Sequence, residues 1–106
     1  MLRSYRPFKL SIPSIMPMWI ANTDGNNGSV KALAQNDYRA SVTLQNLSTS
    51  ANLYFTWGQD ATLISGLTLG PGKGLVLDVI CPQASLYLYM DSATRQLAQI
   101  MEISFA

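Results

Sequence analysis

Residues 86–90 are Leu-Tyr-Leu-Tyr-Met, and this short stretch decides the fold class because apolar and tyrosine side chains alternate along it. Successive side chains of a β-strand point to opposite faces, so a period of two predicts a half-buried strand. The same period recurs in the stretches 40–45, 53–57, 67–69, 75–80 and 101–105, and less clearly in 29–34. The chain is therefore predicted to consist of short strands.

Clusters of turn-forming residues separate these strands, at 46–52, 58–60, 65–66, 70–72, 82–83 and 91–94. Short strands joined by such turns are typical of a sandwich or barrel. We predict an all-β fold: a single antiparallel β-sandwich, jelly-roll or Greek-key-like, with seven or eight strands. The stretch 93–101 has weak helical spacing, but we expect its second half to belong to the last strand. The order in which the strands pair stays open.

The first 28 residues differ from the rest of the chain. Three of the five prolines fall there, at positions 7, 13 and 17, and proline fixes φ and removes a ladder donor. Residues 22–28 are Asn-Thr-Asp-Gly-Asn-Asn-Gly, a cluster of turn formers. We therefore predict an extended N-terminal arm and loop at 1–28 and a β-sandwich domain at 29–106.

Arg3, Arg6 and Lys9 make the arm basic, because no acidic residue precedes Asp24. Two interpretations stay open: the arm docks on an acidic partner, or it is a solvated tail. The proline-interrupted N-terminus has no clean apolar segment, so we predict no signal peptide. No apolar stretch approaches the about 20 residues of a transmembrane helix, so we predict no membrane association.

Charged residues make up only 12% of the 106 residues, against about 25% in an average soluble domain. The deficit favours a surface that another protein covers, and the alternative is a soluble domain with a Ser/Thr/Asn/Gln surface. The net charge of +1 is too small to predict binding to nucleic acid or to an anionic membrane. We therefore expect the partner to be protein.

Residues that usually carry catalysis or bind metals are scarce. The chain has no histidine, which removes the commonest general base and a favoured metal ligand. Its six acidic residues are scattered and form no short-spaced pair. The single cysteine, Cys81, lies in an apolar run and is predicted to be a small core residue. We predict no catalytic residue, no cofactor and no metal site, and conclude that the chain is not an enzyme.

The stretch 70–74, Gly-Pro-Gly-Lys-Gly, places a lysine among glycines as a phosphate loop does. A phosphate loop continues into a helix, whereas Lys73 is followed by Gly74 and a predicted strand. Pro71 presets φ at the first central position of a type II turn, and Gly72 supplies the positive φ at the second. We therefore predict a tight turn between two strands.

Aromatic side chains offer a candidate binding surface. Tyr87 and Tyr89 share one face of their strand, and Tyr54 and Trp57 lie on another strand. Three roles stay open for these side chains. They are a stacking platform for sugars or bases, cross-strand packing partners, or anchors of a protein interface. The last use fits the low surface charge best.

The stretch from 42 to 104 resembles a known group of proteins. The features in their order are Leu-Gln-Asn at 44–46, Leu-Tyr-Phe-Thr-Trp-Gly at 53–58, Gly-Leu-Thr-Leu-Gly-Pro-Gly at 66–72, Ser-Leu-Tyr-Leu-Tyr at 85–89 and Ser-Ala-Thr at 92–94. This order resembles small β-sandwich structural proteins of tailed-bacteriophage virions, of the decoration or cement type. In those proteins a Gly-x-x-Leu-x-Pro-Gly turn and a Leu-Tyr strand recur in that order.

The resemblance implies a non-enzymatic part of a virion, made in the host cytoplasm. The leading hypothesis is a capsid-associated decoration, cement or minor capsid protein that binds the major capsid protein or other virion proteins through its arm. A homo-oligomer, trimer or dimer, is expected. The alternatives are a head–tail, tail or fibre component and, from another class, a carbohydrate-binding module. The candidate partner-binding residues are Arg3, Tyr5, Arg6, Phe8, Lys9, Ile12, Met16, Trp19, Tyr87 and Tyr89.

Overall fold

The computed structural model describes residues 13–62, 66–78 and 81–105, and these contain eight strands and no helix. The strands are β1 (Ser14–Ile20), β2 (Val30–Leu33), β3 (Arg39–Asn46), β4 (Leu53–Trp57), β5 (Leu67–Leu69), β6 (Gly74–Leu77), β7 (Leu86–Met90) and β8 (Gln96–Ser104). They form two four-stranded antiparallel sheets. The predicted all-β sandwich is therefore confirmed, with eight strands.

The strand order identifies the sandwich as a jelly roll. The first sheet has the order β1-β8-β3-β6 and the second β2-β7-β4-β5. Strands β1 and β8, β2 and β7, β3 and β6, and β4 and β5 pair as the two arms of one long hairpin would. Rolling that hairpin brings β3 beside β8 and β4 beside β7, which is the double Greek key of a jelly roll.

The core lies between the two sheets and follows the alternation of the strands. On β7 the side chains of Leu86, Leu88 and Met90 are fully buried, and Leu53 and Phe55 of β4 face them across the ladder. From the first sheet, the same core receives Ile20, Val42, Leu44, Ala98 and Ile100. The stretch that predicted the fold class thus supplies the centre of the core.

The sandwich begins earlier than predicted, because β1 lies within the expected arm. Strand β1 pairs with β8 along its whole length, and Met16, Met18 and Ile20 pack on the core. Pro17 is tolerated because β1 is an edge strand, where one missing donor costs no second ladder. The boundary expected at residue 29 therefore differs from the structure, and residues 1–12 of the predicted arm lie outside the described residues.

The last strand is longer than predicted and faces the other way. Strand β8 begins at Gln96 and is paired on both sides, with β1 and with β3; this pairing overrides the weak helical spacing of its first half. If the apolar residues of 101–105 faced inward, Met101 and Ile103 would lie in the core. Instead Ala98 and Ile100 are buried, so Met101 and Ile103 lie on the outer face.

The turn at 70–73 is the one predicted. The Lys73 amide donates a hydrogen bond to the Gly70 carbonyl at 3.1 Å, and Gly72 has a φ of +76°. The turn joins β5 of the second sheet to β6 of the first. It is therefore a connection between the two sheets, and it continues into strand β6 where a phosphate loop would continue into a helix.

Two buried polar side chains close the sandwich at opposite ends of β3. Arg39, 2% exposed, pairs with Glu102 at 2.7 Å and lies over the Trp57 ring. Asn46, fully buried, donates to the carbonyls of Ala51 and Leu69 at 2.8 and 3.0 Å. Both residues tie the first sheet to the connections that lead to the second.

Candidate interaction surface

The outer face of the first sheet, here called the apolar face, is the most unusual surface among the described residues. Its outward side chains are Ile15, Pro17 and Trp19 on β1, Leu97, Gln99, Met101 and Ile103 on β8, Ser41, Thr43 and Gln45 on β3, and Gly74 and Val76 on β6. None of these residues is charged. A soluble antiparallel sheet normally presents a polar, charged face to water.

Strand register assembles this face into rows. Ile15 lies opposite Met101, Met101 opposite Thr43, and Thr43 opposite Val76, so one row crosses all four strands. The next row is Pro17, Gln99, Gln45 and Gly74, and the last pairs Trp19 with Leu97. An apolar band therefore runs from one sheet edge to the other, with a band of amides beside it.

Several large apolar side chains of the apolar face are open to solvent. The exposed fractions are 58% for Ile15, 60% for Trp19 and 58% for Val76. A single exposed apolar residue is ordinary, but a contiguous uncharged patch marks a surface that another molecule covers. Its members come from four strands of one sheet, so hydrogen-bonded strand pairing holds them together.

Among the described residues, charged groups appear at the margin of this face. The exposed Asp78 directly follows the end of β6, on the side of Val76 by strand alternation. Arg95 pairs with Asp24 at 2.9 Å just beyond the Trp19 end of β1. The Arg95 guanidinium also reaches the Trp19 carbonyl at 3.5 Å. An apolar centre with a polar rim is the anatomy of a protein interface.

The outer face of the second sheet is different. Tyr87 and Tyr89 share it, as predicted, and Tyr54 lies directly opposite Tyr89. The rings of Tyr54 and Tyr89 meet edge to face, with centroids 6.0 Å apart and an interplanar angle of 72°. Gly28 approaches the Tyr89 ring so closely that a Cβ there would lie 2.6 Å from it. These contacts fit cross-strand packing better than a coplanar platform for sugars or bases.

The predicted partner-binding residues fall into three groups. Trp19 lies on the apolar face, and Met16 packs inward on the core. Tyr87 and Tyr89 lie on the opposite side of the molecule. The remaining ones lie outside the described residues: Arg3, Tyr5, Arg6, Phe8, Lys9 and Ile12. The structure therefore does not bring the ten residues into one site.

Sequence reasoning missed most of the apolar face. Ile15 belongs to the predicted arm, and Met101 and Ile103 look like the core side of their strand. One observation would have placed Met101 and Ile103 on the outer face. Glu102, which lies between them, points inward and forms an ion pair with Arg39 at 2.7 Å. Arg39 and Glu102 are 63 residues apart, and no local pattern links them.

The described residues contain no group of three His, Cys, Asp or Glu side chains placed to hold a metal ion. Cys81, predicted to be a core residue, is instead partly buried and packs against the core. Desolvation raises the pKa of its thiol, opposed by the nearby positive charge of Arg39. Within the described ranges, no helix is long and apolar enough to cross a membrane.

Comparison with known proteins supports the fold. No family model and no curated protein matches the chain. A solved structure, described as "Bacillus endospore appendages form a novel family of disulfide-linked pili", contains a chain of similar shape. The TM-score is 0.55 over 100% of this chain and 96% of that one, at 11% sequence identity. At this identity, the similarity shows that the two chains share a fold.

Proposed function

We propose that the protein is a non-enzymatic structural subunit, which packs against other protein subunits of a larger assembly through its apolar face. The observation that carries this proposal is the uncharged outer face of a sheet with Ile15, Trp19 and Val76 each more than half exposed. Covering such a face removes apolar area from water at about 25 cal/mol per Å². An isolated domain gains nothing from leaving it open.

The chemistry of the described charged residues supports a structural role. Arg39 and Glu102 bind each other inside the sandwich, and Asp24 and Arg95 bind each other at its rim. Each pair fixes chain segments that are distant in sequence, at separations of 63 and 71 residues. The four groups therefore stabilise the jelly roll.

The basic arm provides a second contact. Arg3, Arg6 and Lys9 are the only charged residues in 1–12, so the rest of the chain carries four basic against six acidic residues, a net charge of −2. An arm with three positive charges is attracted to acidic neighbours, including the body of another such subunit. This charge distribution favours a docking arm over a solvated tail.

Two kinds of assembly are candidates. The resemblance to phage virion proteins favours a capsid-associated decoration or cement subunit that binds the major capsid protein. The shared fold with a chain of the spore-appendage pili favours a filament or fibre component instead. That structure is described as disulfide-linked, whereas this chain has one cysteine, partly buried; disulfide linkage is therefore not carried over to this chain.

Electron microscopy of the native source distinguishes these candidates. Antibody raised against the full chain and detected with gold should label virus particles in the decoration role and filaments in the pilus role. Truncation tests the arm: deletion of residues 1–12 should weaken incorporation while leaving β1 intact. A longer deletion would remove core contacts of Met16 and Met18. Label confined to free, unassembled protein would contradict the proposal.

A further inference from the structure

We propose that the partner seated on the apolar face is a second copy of this chain, packed sheet against sheet about a two-fold axis. The inference rests on the proposed function, since it names the occupant of the same surface. In such a contact a residue of one copy faces a residue of the same patch on the other. The patch must therefore be complementary to itself.

A self-complementary patch must avoid placing like charges opposite each other, and the apolar face meets this requirement. A charged side chain there would meet a charge of its own patch across the axis, or be buried without a partner, which is costly. The outward residues of the four strands include no charged one. At the rim, Asp24 and Arg95 neutralise each other, and Asp78 lies beyond the end of β6. A partner recognised by charge would instead need complementary ionic groups here.

A self-complementary patch must also satisfy the hydrogen bonds of its own polar groups, and the polar groups on the apolar face can do so. They are Gln45 and Gln99, paired in register, together with Ser41 and Thr43. Each of these amides and hydroxyls both donates and accepts hydrogen bonds. Two copies of the same surface can therefore satisfy one another, whichever polar groups meet.

The size of the face suits a stable pair. Strands β1, β8, β3 and β6 contain 7, 9, 8 and 4 residues. With a rise of about 3.3 Å per residue and a strand spacing of about 4.8 Å, they cover about 440 Å². A face-to-face pair thus covers about 900 Å² before the corrugation of the side chains is counted, close to the about 1,000 Å² that a specific interface needs.

Sedimentation equilibrium of the full chain tests the inference, with folding checked by circular dichroism. The fraction of wild-type protein present as a dimer should rise with protein concentration. Val76→Lys, on the edge strand of the apolar face, should weaken dimerisation at least about 10-fold, because the substitution enters the interface twice. Its matched control is Leu67→Lys on the edge strand of the second sheet. Leu67 is 66% exposed, against 58% for Val76, and this change should leave the dimer intact.

Different outcomes overturn different statements. A wild-type chain that stays monomeric to millimolar concentration, or a Val76→Lys variant that dimerises as the wild type does, contradicts the two-fold contact. If deletion of residues 1–12 abolishes the dimer and Val76→Lys does not, the arm of another copy is the occupant instead. Gold labelling of the native assembly does not depend on these sedimentation results. The proposed function and the two-fold contact are therefore tested separately.

Discussion

Replacing Arg39 by alanine is expected to destabilise the protein by about 3 kcal/mol. The side chain is fully enclosed and donates four hydrogen bonds, to Glu102 Oε2 and to the carbonyls of Ala34, Pro82 and Ala84 at 2.7–2.8 Å. Removing one member of a buried ion pair typically costs about 3–5 kcal/mol, because the other charge is left without its partner.

The exposure of Glu102 places the expected cost at the lower end of that range. Its side chain is 20% exposed and also accepts a hydrogen bond from Asn36 Nδ2 at 3.2 Å. After loss of the guanidinium, the carboxylate therefore keeps one donor and reaches water. The three carbonyls lose a donor at the same time, so the expected cost stays at about 3 kcal/mol and does not fall below that range.

Urea unfolding followed by tryptophan fluorescence measures this effect, since the Arg39 guanidinium lies 5.6 Å from the Trp57 ring. The matched control is Arg95→Ala, which removes the exposed Asp24 pair and should cost less than about 1 kcal/mol. Arg39→Lys should recover little, because one ammonium cannot replace the fork of donors. Equal losses for Arg39→Ala and Arg95→Ala would refute the view that Arg39 closes the sandwich.

Three further perturbations test other contacts. Asn46→Ala should cost about 2 kcal/mol in urea unfolding, because two carbonyls lose their donor, whereas the nearby exposed Thr49→Ala, outside the apolar face, should change stability by less than about 0.5 kcal/mol. Gly28→Ala should lower the melting temperature more than Gly72→Ala: both glycines have positive φ, but a Cβ at Gly28 would lie 2.6 Å from both the Asn22 carbonyl and the Tyr89 ring, and one at Gly72 meets nothing within 4 Å. Equal shifts would argue against the close packing of Gly28. Because burial raises the pKa of the Cys81 thiol above its ordinary value, the folded state keeps the thiol proton at a pH where the unfolded chain loses it. The stability that the thiol contributes should therefore be complete below pH 9 and decline as the pH rises above it; Cys81→Ala should remove that part of the alkaline decline, and identical pH profiles would contradict the burial.

Period-two alternation predicted the strands whose inward side is uniformly apolar. In 86–90 each inward residue is apolar and buried and each outward one is a partly exposed Tyr, so the pattern and the packing agree. In 53–57 they agree up to Phe55, whereas the outward Thr56 is also buried. The turn at 70–73 was equally predictable, because Pro71 and Gly72 restrict φ locally. These features depend on neighbouring residues alone.

The features that sequence reasoning missed depend on distant residues. Strand β1 is apolar on both sides, since Ile15, Pro17 and Trp19 alternate with core residues. The prolines at 7, 13 and 17 indicated an arm. Only pairing with β8, more than 75 residues away, makes it an edge strand. The side of β8 that faces inward is likewise fixed by the long-range ion pair of Arg39 with Glu102. The candidate site was missed because most of its apolar side chains lie on these two strands.

The structure shows which part of the surface lacks charged residues. Sequence composition attributes it to the surface as a whole, but charges remain at the ends of the sandwich, as in the Asp24–Arg95 pair, and on the second sheet, as in Lys31 above the Tyr87 ring. They are absent from the outer face of the first sheet, where four strands present Ile15, Met101, Thr43 and Val76 in one row. Natural sheets that remain in water interrupt such a surface with charged residues, because an uncharged, apolar surface otherwise associates without specificity. A chain that keeps charge at the margin and excludes it from this one face has the distribution of an interface, and the missing charge therefore argues for assembly more strongly than the composition alone did.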